Sequence, residues 1–200
     1  MMRQATFPLL FVLSPNLQAD PAVAVERIER KIRRAALRRE PVLLGTVDAP
    51  YEPAREASPL AALRSVGDGL KVAITTASPR IAGEVELLAD LDRRHSVTVR
   101  MIAPLPSPFD PGPRLRAAQT LASEGITTFL LIAPASPATL PNEADLRRLF
   151  AAARETDIHD VEIAAGNLRR LRRDERDDWA DTLRQFRWEY GFPQRTAGRG

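Results

Sequence analysis

Apolar residues fall in two alternating rhythms along the chain, short continuous runs and longer stretches with helical spacing. Phe7–Leu13, Pro41–Val47, Lys71–Thr76, Val97–Ala103, Thr127–Ala133 and Val161–Ala164 are the short runs, each predicting a strand. The apolar part of the second is Pro41–Leu44, closed by Gly45-Thr46. Between the runs, apolar positions recur three and four residues apart. Val25, Ile28, Ile32 and Ala35 predict a first helix, opened by Asp20-Pro21, with Glu26–Arg30 and Glu29–Arg33 paired on its outer face. Leu60, Leu63 and Val66 follow Ser58-Pro59, with Gly67 and Gly69 as the stop. Ile81, Val85, Leu88 and Leu91 follow Ser78-Pro79. Leu115, Ala118, Leu121 and Ala122 end at Gly125. Leu146, Leu149, Phe150 and Ala153 follow an Asn142 cap. Trp179, Leu183, Phe186 and Tyr190 predict the last helix, and Phe192–Gly200 reads as a loose tail.

Six strand–helix units with short connections predict an α/β fold with one parallel sheet and right-handed crossovers. Continuous apolar strands imply that both sheet faces are covered. Periodicity alone leaves an open sheet and a partial barrel equally available. At 200 residues the chain suits one domain, taken as residues 1–191 with a tail over 192–200.

Composition narrows the chemistry. The chain contains no cysteine, which removes disulfides, thiolate catalysis and cysteine-ligated zinc or iron–sulfur sites. His95 and His159 are the only histidines and have no ligand partner at metal spacing. No metal site is expected. The apolar run near the amino terminus is too short to span a bilayer and lacks a signal-cleavage pattern, so the expectation is a cytoplasmic protein without membrane contact. The formal charge of +3 comes almost wholly from arginine. No G-x-G-x-x-G, Walker-type or G-x-S-x-G pattern occurs, which argues against dinucleotide, P-loop and serine-hydrolase chemistry. Five Ser-Pro pairs read as helix starts rather than phosphorylation sites.

The polar segment after the second strand, GTVDAPYEPARE (45–56), is the sharpest local signal. In strand–helix barrels, residues just past a strand's carboxyl end face the active mouth. This segment resembles G-T-x-T-D-P-Y-Q-P-x-E of radical S-adenosylmethionine (radical SAM) proteins related to spore photoproduct lyase. Gly45, Thr46, Tyr51 and Pro53 are kept, with Asp48 and Glu56 near the family's Asp and Glu. LFVLSPN resembles the family's I-x-V-K-x-N strand and KVAITTAS its V-S-I-x-T-K-S strand. RLRAAQTLASEGI resembles its R-L-x-A-I-x-x-L-x-x-A-G-I helix, and LLIAPASPATLPNEADL its V-x-V-A-P-V-I-P-G-L-N-D-x-E-I loop. The order of elements matches from about Leu9 to Ile163.

The resemblance implies a six-stranded parallel partial (β/α) barrel of radical SAM, TIM-barrel-like type. It also implies S-adenosylmethionine and a [4Fe–4S] cluster as the family's cofactors. The cluster needs a C-x-x-x-C-x-x-C loop, which lies in the family just upstream of the segment matching Leu9–Asn16. Residues 1–200 hold no such loop, and Leu13, Ala77 and Gly83 stand where charged residues are usual. No cofactor is therefore expected for this chain alone, and its catalytic residues and enzymatic status stay open. The implied state is a pseudoenzyme or a partner-dependent descendant, binding a small ligand or protein at the strand mouth or working with a cluster-bearing partner chain. Gly45, Thr46, Asp48, Tyr51 and Glu56 are the candidate cofactor-binding residues; a plain polar cap on the barrel, or an Asp48–Glu56 acid/base pair, are the competing readings. Two alternatives belong to other classes: a nucleic-acid-associated module linked to DNA repair, with Arg169, Arg170, Arg172, Arg173 and Arg176 as its basic patch, or an enzyme with cluster-free chemistry. Asp174, Asp177, Asp178 and Asp181 neutralise that patch and favour a solvated helix face.

Overall fold

A computed structural model describes residues 11–12, 21–47, 50–53, 59–103, 112–132, 142–156, 158–163 and 173–192, with side chains described for all of these except 11–28, 59, 163 and 173–177. β2 (Val42–Leu44), β3 (Lys71–Thr76), β4 (Ser96–Ala103), β5 (Thr127–Ile132) and β6 (Asp160–Ile163) form the body of one parallel sheet. Of the first apolar run, Phe11–Val12 is described, and it forms β1 beside β2. Strand order follows the chain without reversal, β1-β2-β3-β4-β5-β6. Right-handed crossovers between successive neighbours place every connecting helix on the same side of such a sheet.

The helices are α1 (Pro21–Arg38), α2 (Pro59–Leu63), α3 (Val85–Asp92), α4 (Gly112–Ser123), α5 (Glu143–Glu155) and α6 (Arg173–Glu189). Asn142 caps α5 as its sequence position implies, accepting from the Asp145 amide at 2.9 Å. The segment after Ser78-Pro79 begins instead as a 3-10 helix, Pro79–Glu84, and the Ser78 side chain makes no cap bond. Ser78 is tied through its own amide to the Thr76 hydroxyl at 3.0 Å.

Strand burial alternates through the amino-terminal halves of β3, β4 and β5 and runs through at their carboxyl ends, where Thr75, Ile102 and Leu131 are buried as well. Val42, Leu44, Val72, Ile74, Val97, Val99, Met101, Leu130 and Ile132 join Ile32, Leu63, Leu88, Leu121 and Phe150 of the helices in one core. Residues of opposite parity lie on the other face, where Ile102 and Leu131 form a separate cluster with Val47 and Ala77. The described helices pack on the first of these faces, while on the second the carboxyl ends of the strands are buried and their amino-terminal parts half-buried. Ser96, Thr98 and Arg100 are spaced through β4 between its helix-facing residues, a half-polar pattern that the apolar composition of the run concealed.

At the carboxyl end, Phe150, Phe186, Tyr190 and Phe192 form an aromatic cluster, with Phe150 stacked on Phe186 at 5.5 Å and edge-on to Phe192 at 5.6 Å. Phe192, placed at the start of a tail by its sequence context, is only 6% exposed and belongs to the core. Arg187 of α6 reaches the outer edge of the sheet, donating to Asp160 Oδ2 at 2.8 Å and to the Val161 carbonyl at 2.9 Å.

Candidate functional site on the sheet face opposite the helices

Two charged side chains stand on the sheet face opposite the described helices. Arg100 lies opposite Phe129 in the β4–β5 register, and Glu162 lies opposite Leu131 in the β5–β6 register. They therefore meet diagonally across β5, with Arg100 Nε 3.3 Å from Glu162 Oε2. Their side chains are 25% and 14% exposed, so the pair is screened far less than a surface ion pair. Ile102 and Leu131 flank it toward the strand carboxyl ends. Toward the amino ends lies a cavity of about 190 Å³ lined by Leu43, Lys71, Ala73, Ser96, Thr98 and Arg100. Two cations and two hydroxyls line it without a carboxylate.

The carboxyl-terminal rim is built by the segment after β2. Gly45 has φ +78°, and a Cβ there would overlap the Tyr51 amide nitrogen and the Thr75 carbonyl oxygen. That close approach lets Tyr51 N donate to Thr75 O at 2.7 Å, while Thr76 Oγ1 donates to Tyr51 O at 2.7 Å. The loop is stitched to the end of β3 from both directions. Tyr51 is 4% exposed, and its hydroxyl donates to Glu84 Oε2 at 3.1 Å, so it braces the rim from within. Thr46 is partly buried beside Gly45. Glu52 is exposed on the same rim and acts electrostatically on Arg114 of α4; burial lowers the Arg114 pKa, and the Glu52 carboxylate pulls it back up.

Of the candidates from sequence, Gly45, Thr46 and Tyr51 are brought together at the rim, whereas Asp48 and Glu56 lie outside the described residues. Arg169, Arg170 and Arg172 also lie outside them, as do the side chains of Arg173 and Arg176. His95 is buried, with Nε2 3.3 Å from the Leu63 carbonyl, and His159 is exposed just before β6. Among the described residues no three His, Cys, Asp or Glu side chains group as a metal site, and no helix is long and apolar enough to cross a membrane. Arg100 and Glu162 were missed in the sequence. Their signal was a charge inside a strand at the parity opposite its valines, but their meeting requires the register across a third strand. No family model matches the chain, and no curated protein matches it.

Proposed function

We propose that this chain is a cluster-less relative of the radical SAM proteins, a non-catalytic or partner-dependent descendant that binds a small ligand on the sheet face opposite its helices. In this reading that face is the lumen of a partial (β/α) barrel, and the Gly45–Tyr51 rim is its mouth. The unreversed strand order supports it, since a doubly wound sheet would place a switch point and helices on both faces. The carrying observation is the Arg100–Glu162 pair, a charged couple held on a half-covered face where a purely structural core would place apolar side chains. The ligand class that follows is a small anion with an apolar part. Its charge competes with Glu162 for Arg100, and its apolar part lies on Ile102 and Leu131.

The family's iron–sulfur cluster does not fit the residues present, because residues 1–200 supply no thiolate. S-adenosylmethionine then lacks its main anchor, leaving only polar contacts around Gly45 and Thr46. The test is anaerobic incubation with iron and sulfide, followed by thermal melts with S-adenosylmethionine and with a panel of small carboxylates and phosphates. The expected outcome is colourless protein, little response to S-adenosylmethionine, and a rise in Tm with one or more of the anions that Arg100→Leu abolishes. A brown, cluster-bearing product, or the absence of any response across the panel, overturns the reading.

A further inference from the structure

The second half of α1 and the residue that closes it carry Arg30, Lys31, Arg33, Arg34, Arg38 and Arg39, with Glu29 and Glu40 as the flanking carboxylates. Ile32 and Ala35 turn inward to the core, leaving the cations on the outer surface. Glu29–Arg33 and Arg38–Glu40 approach only to 3.7 and 3.8 Å and are exposed, so they neutralise the surface weakly. Beside this helix lies an open groove of about 690 Å³, between α1 and the turn 65–70. Ala36, Leu37, Val66 and Leu70 give it an apolar lining, beside the charged Arg33, Arg39 and Asp68. Leu37 is 88% exposed, the largest exposure of any large apolar side chain described.

Two further features set this groove apart from ordinary surface. The turn 65–70 is braced from behind by Arg94, which bonds Asp68 Oδ1 at 2.8 Å, the Arg64 carbonyl at 2.9 Å and the Val66 carbonyl at 3.1 Å. The wall is therefore preformed, and its one carboxylate is already paired. Arg39 also has φ 53°, a left-handed conformation that is unfavourable for a non-glycine residue. Its amide donates to Ala36 O at 3.1 Å and the Glu40 amide to Ala35 O at 2.9 Å, the same double closure that ends α4 at Gly125 and α6 at Gly191. At α1 an arginine holds the place that glycine holds in the other two.

We propose that this groove docks an acidic peptide segment of a partner protein, with one apolar side chain seated on Leu37 and Ala36 and its carboxylates on Arg33 and Arg39. Charge complementarity selects the acidic partner, and guanidinium forks bind carboxylates in a defined geometry. The apolar lining selects a peptide over nucleic acid, because no aromatic side chain lines the groove to stack a base. The groove lies at the amino ends of β2 and β3, away from the Gly45–Tyr51 rim, so its occupancy is independent of the small-ligand reading.

Fluorescence polarisation tests the proposal with a short labelled peptide of glutamates around a Leu-Leu pair. The same peptide with Ala-Ala, and a single-stranded oligonucleotide of similar charge, are the comparators. Saturable binding of the leucine peptide is expected at low salt, weakening as salt rises and falling about tenfold in Arg33→Glu. Leu37→Ser, a change at an exposed position, is expected to bring the leucine peptide down to the alanine peptide's level. Arg39→Gly is expected to weaken binding while raising the melting temperature, a combination that a purely structural arginine does not give. Absence of saturable binding, preference for the oligonucleotide, equal binding of both peptides, or variants that bind like the unmodified protein each overturn the proposal.

Discussion

A methyl group at position 45 would enter space already filled by the backbone of Tyr51 and Thr75. Steric overlap adds to the left-handed φ, so Gly45→Ala is expected to cost more than about 3 kcal/mol by urea denaturation. Tyr51→Phe removes one hydrogen bond to Glu84 from the same rim and is expected to cost only about 1 kcal/mol. The contrast separates the backbone approach from the phenol as the rim's main support. The loop motif singled out Gly45 and Tyr51 as candidate ligand contacts, and the inward bond from Tyr51 to Glu84 is a structural role that the motif did not show. Arg100 and Glu162 were not legible, because 62 residues and an intervening strand separate them and only register joins them. Their coupling is open to a double-mutant cycle. Arg100→Leu alone removes the cation beside the largely buried Glu162 and is expected to cost about 2 kcal/mol, most of which Arg100→Leu with Glu162→Leu recovers. Additive single effects would show that the two charges do not interact.

Helix ends carry the next level of information. Gly125 and Gly191 mark the closures of α4 and α6, and Asn142 marks the start of α5, each by a residue type whose preference comes from local backbone geometry. Such signals need no knowledge of distant contacts, which is why the sequence exposes them. The end of α1 has no glycine, and its closure at Arg39 is visible only in the fold. Arg39→Gly is expected to stabilise the chain by about 0.5–1 kcal/mol in chemical denaturation. The last helix shows the opposite kind of error. Phe192 follows Gly191 and looks terminal, yet its amide donates to Arg187 O at 2.8 Å as part of the helix closure, and this folds the ring onto Phe150. Phe192→Ala is expected to cost about 3 kcal/mol, since the aromatic cluster loses one of its walls.

Across the molecule, the sheet is strongest at its centre. β3, β4 and β5 are paired on both sides with ladders of six residues between β3 and β4 and between β4 and β5, whereas β1 stands at the border of the described sheet, paired with β2 alone. Native-state hydrogen exchange is expected to be slowest in β4 and its neighbours and fastest at β1. Rapid exchange in β4 would contradict this ordering of stability. The parallel arrangement itself was readable from the alternation of runs and helical stripes, because a strand followed by a helix must return in the same direction to pair with its predecessor. The half-polar amino-terminal stretch of the second face was hidden, since Ser96, Thr98 and Arg100 sit among valines in an otherwise apolar run.

Among the described residues β6 stands at one border of the sheet, and a strand edge is a template on which another chain can add. Arg187 occupies one of the backbone acceptors there while holding Asp160. The same side chain that joins α6 to the sheet therefore also blunts an aggregation-prone border. Arg187→Ala combined with Asp160→Asn removes the charge imbalance yet leaves that border open. Light scattering over a concentration series is expected to show self-association by this variant well below the concentration at which the unmodified chain begins to associate.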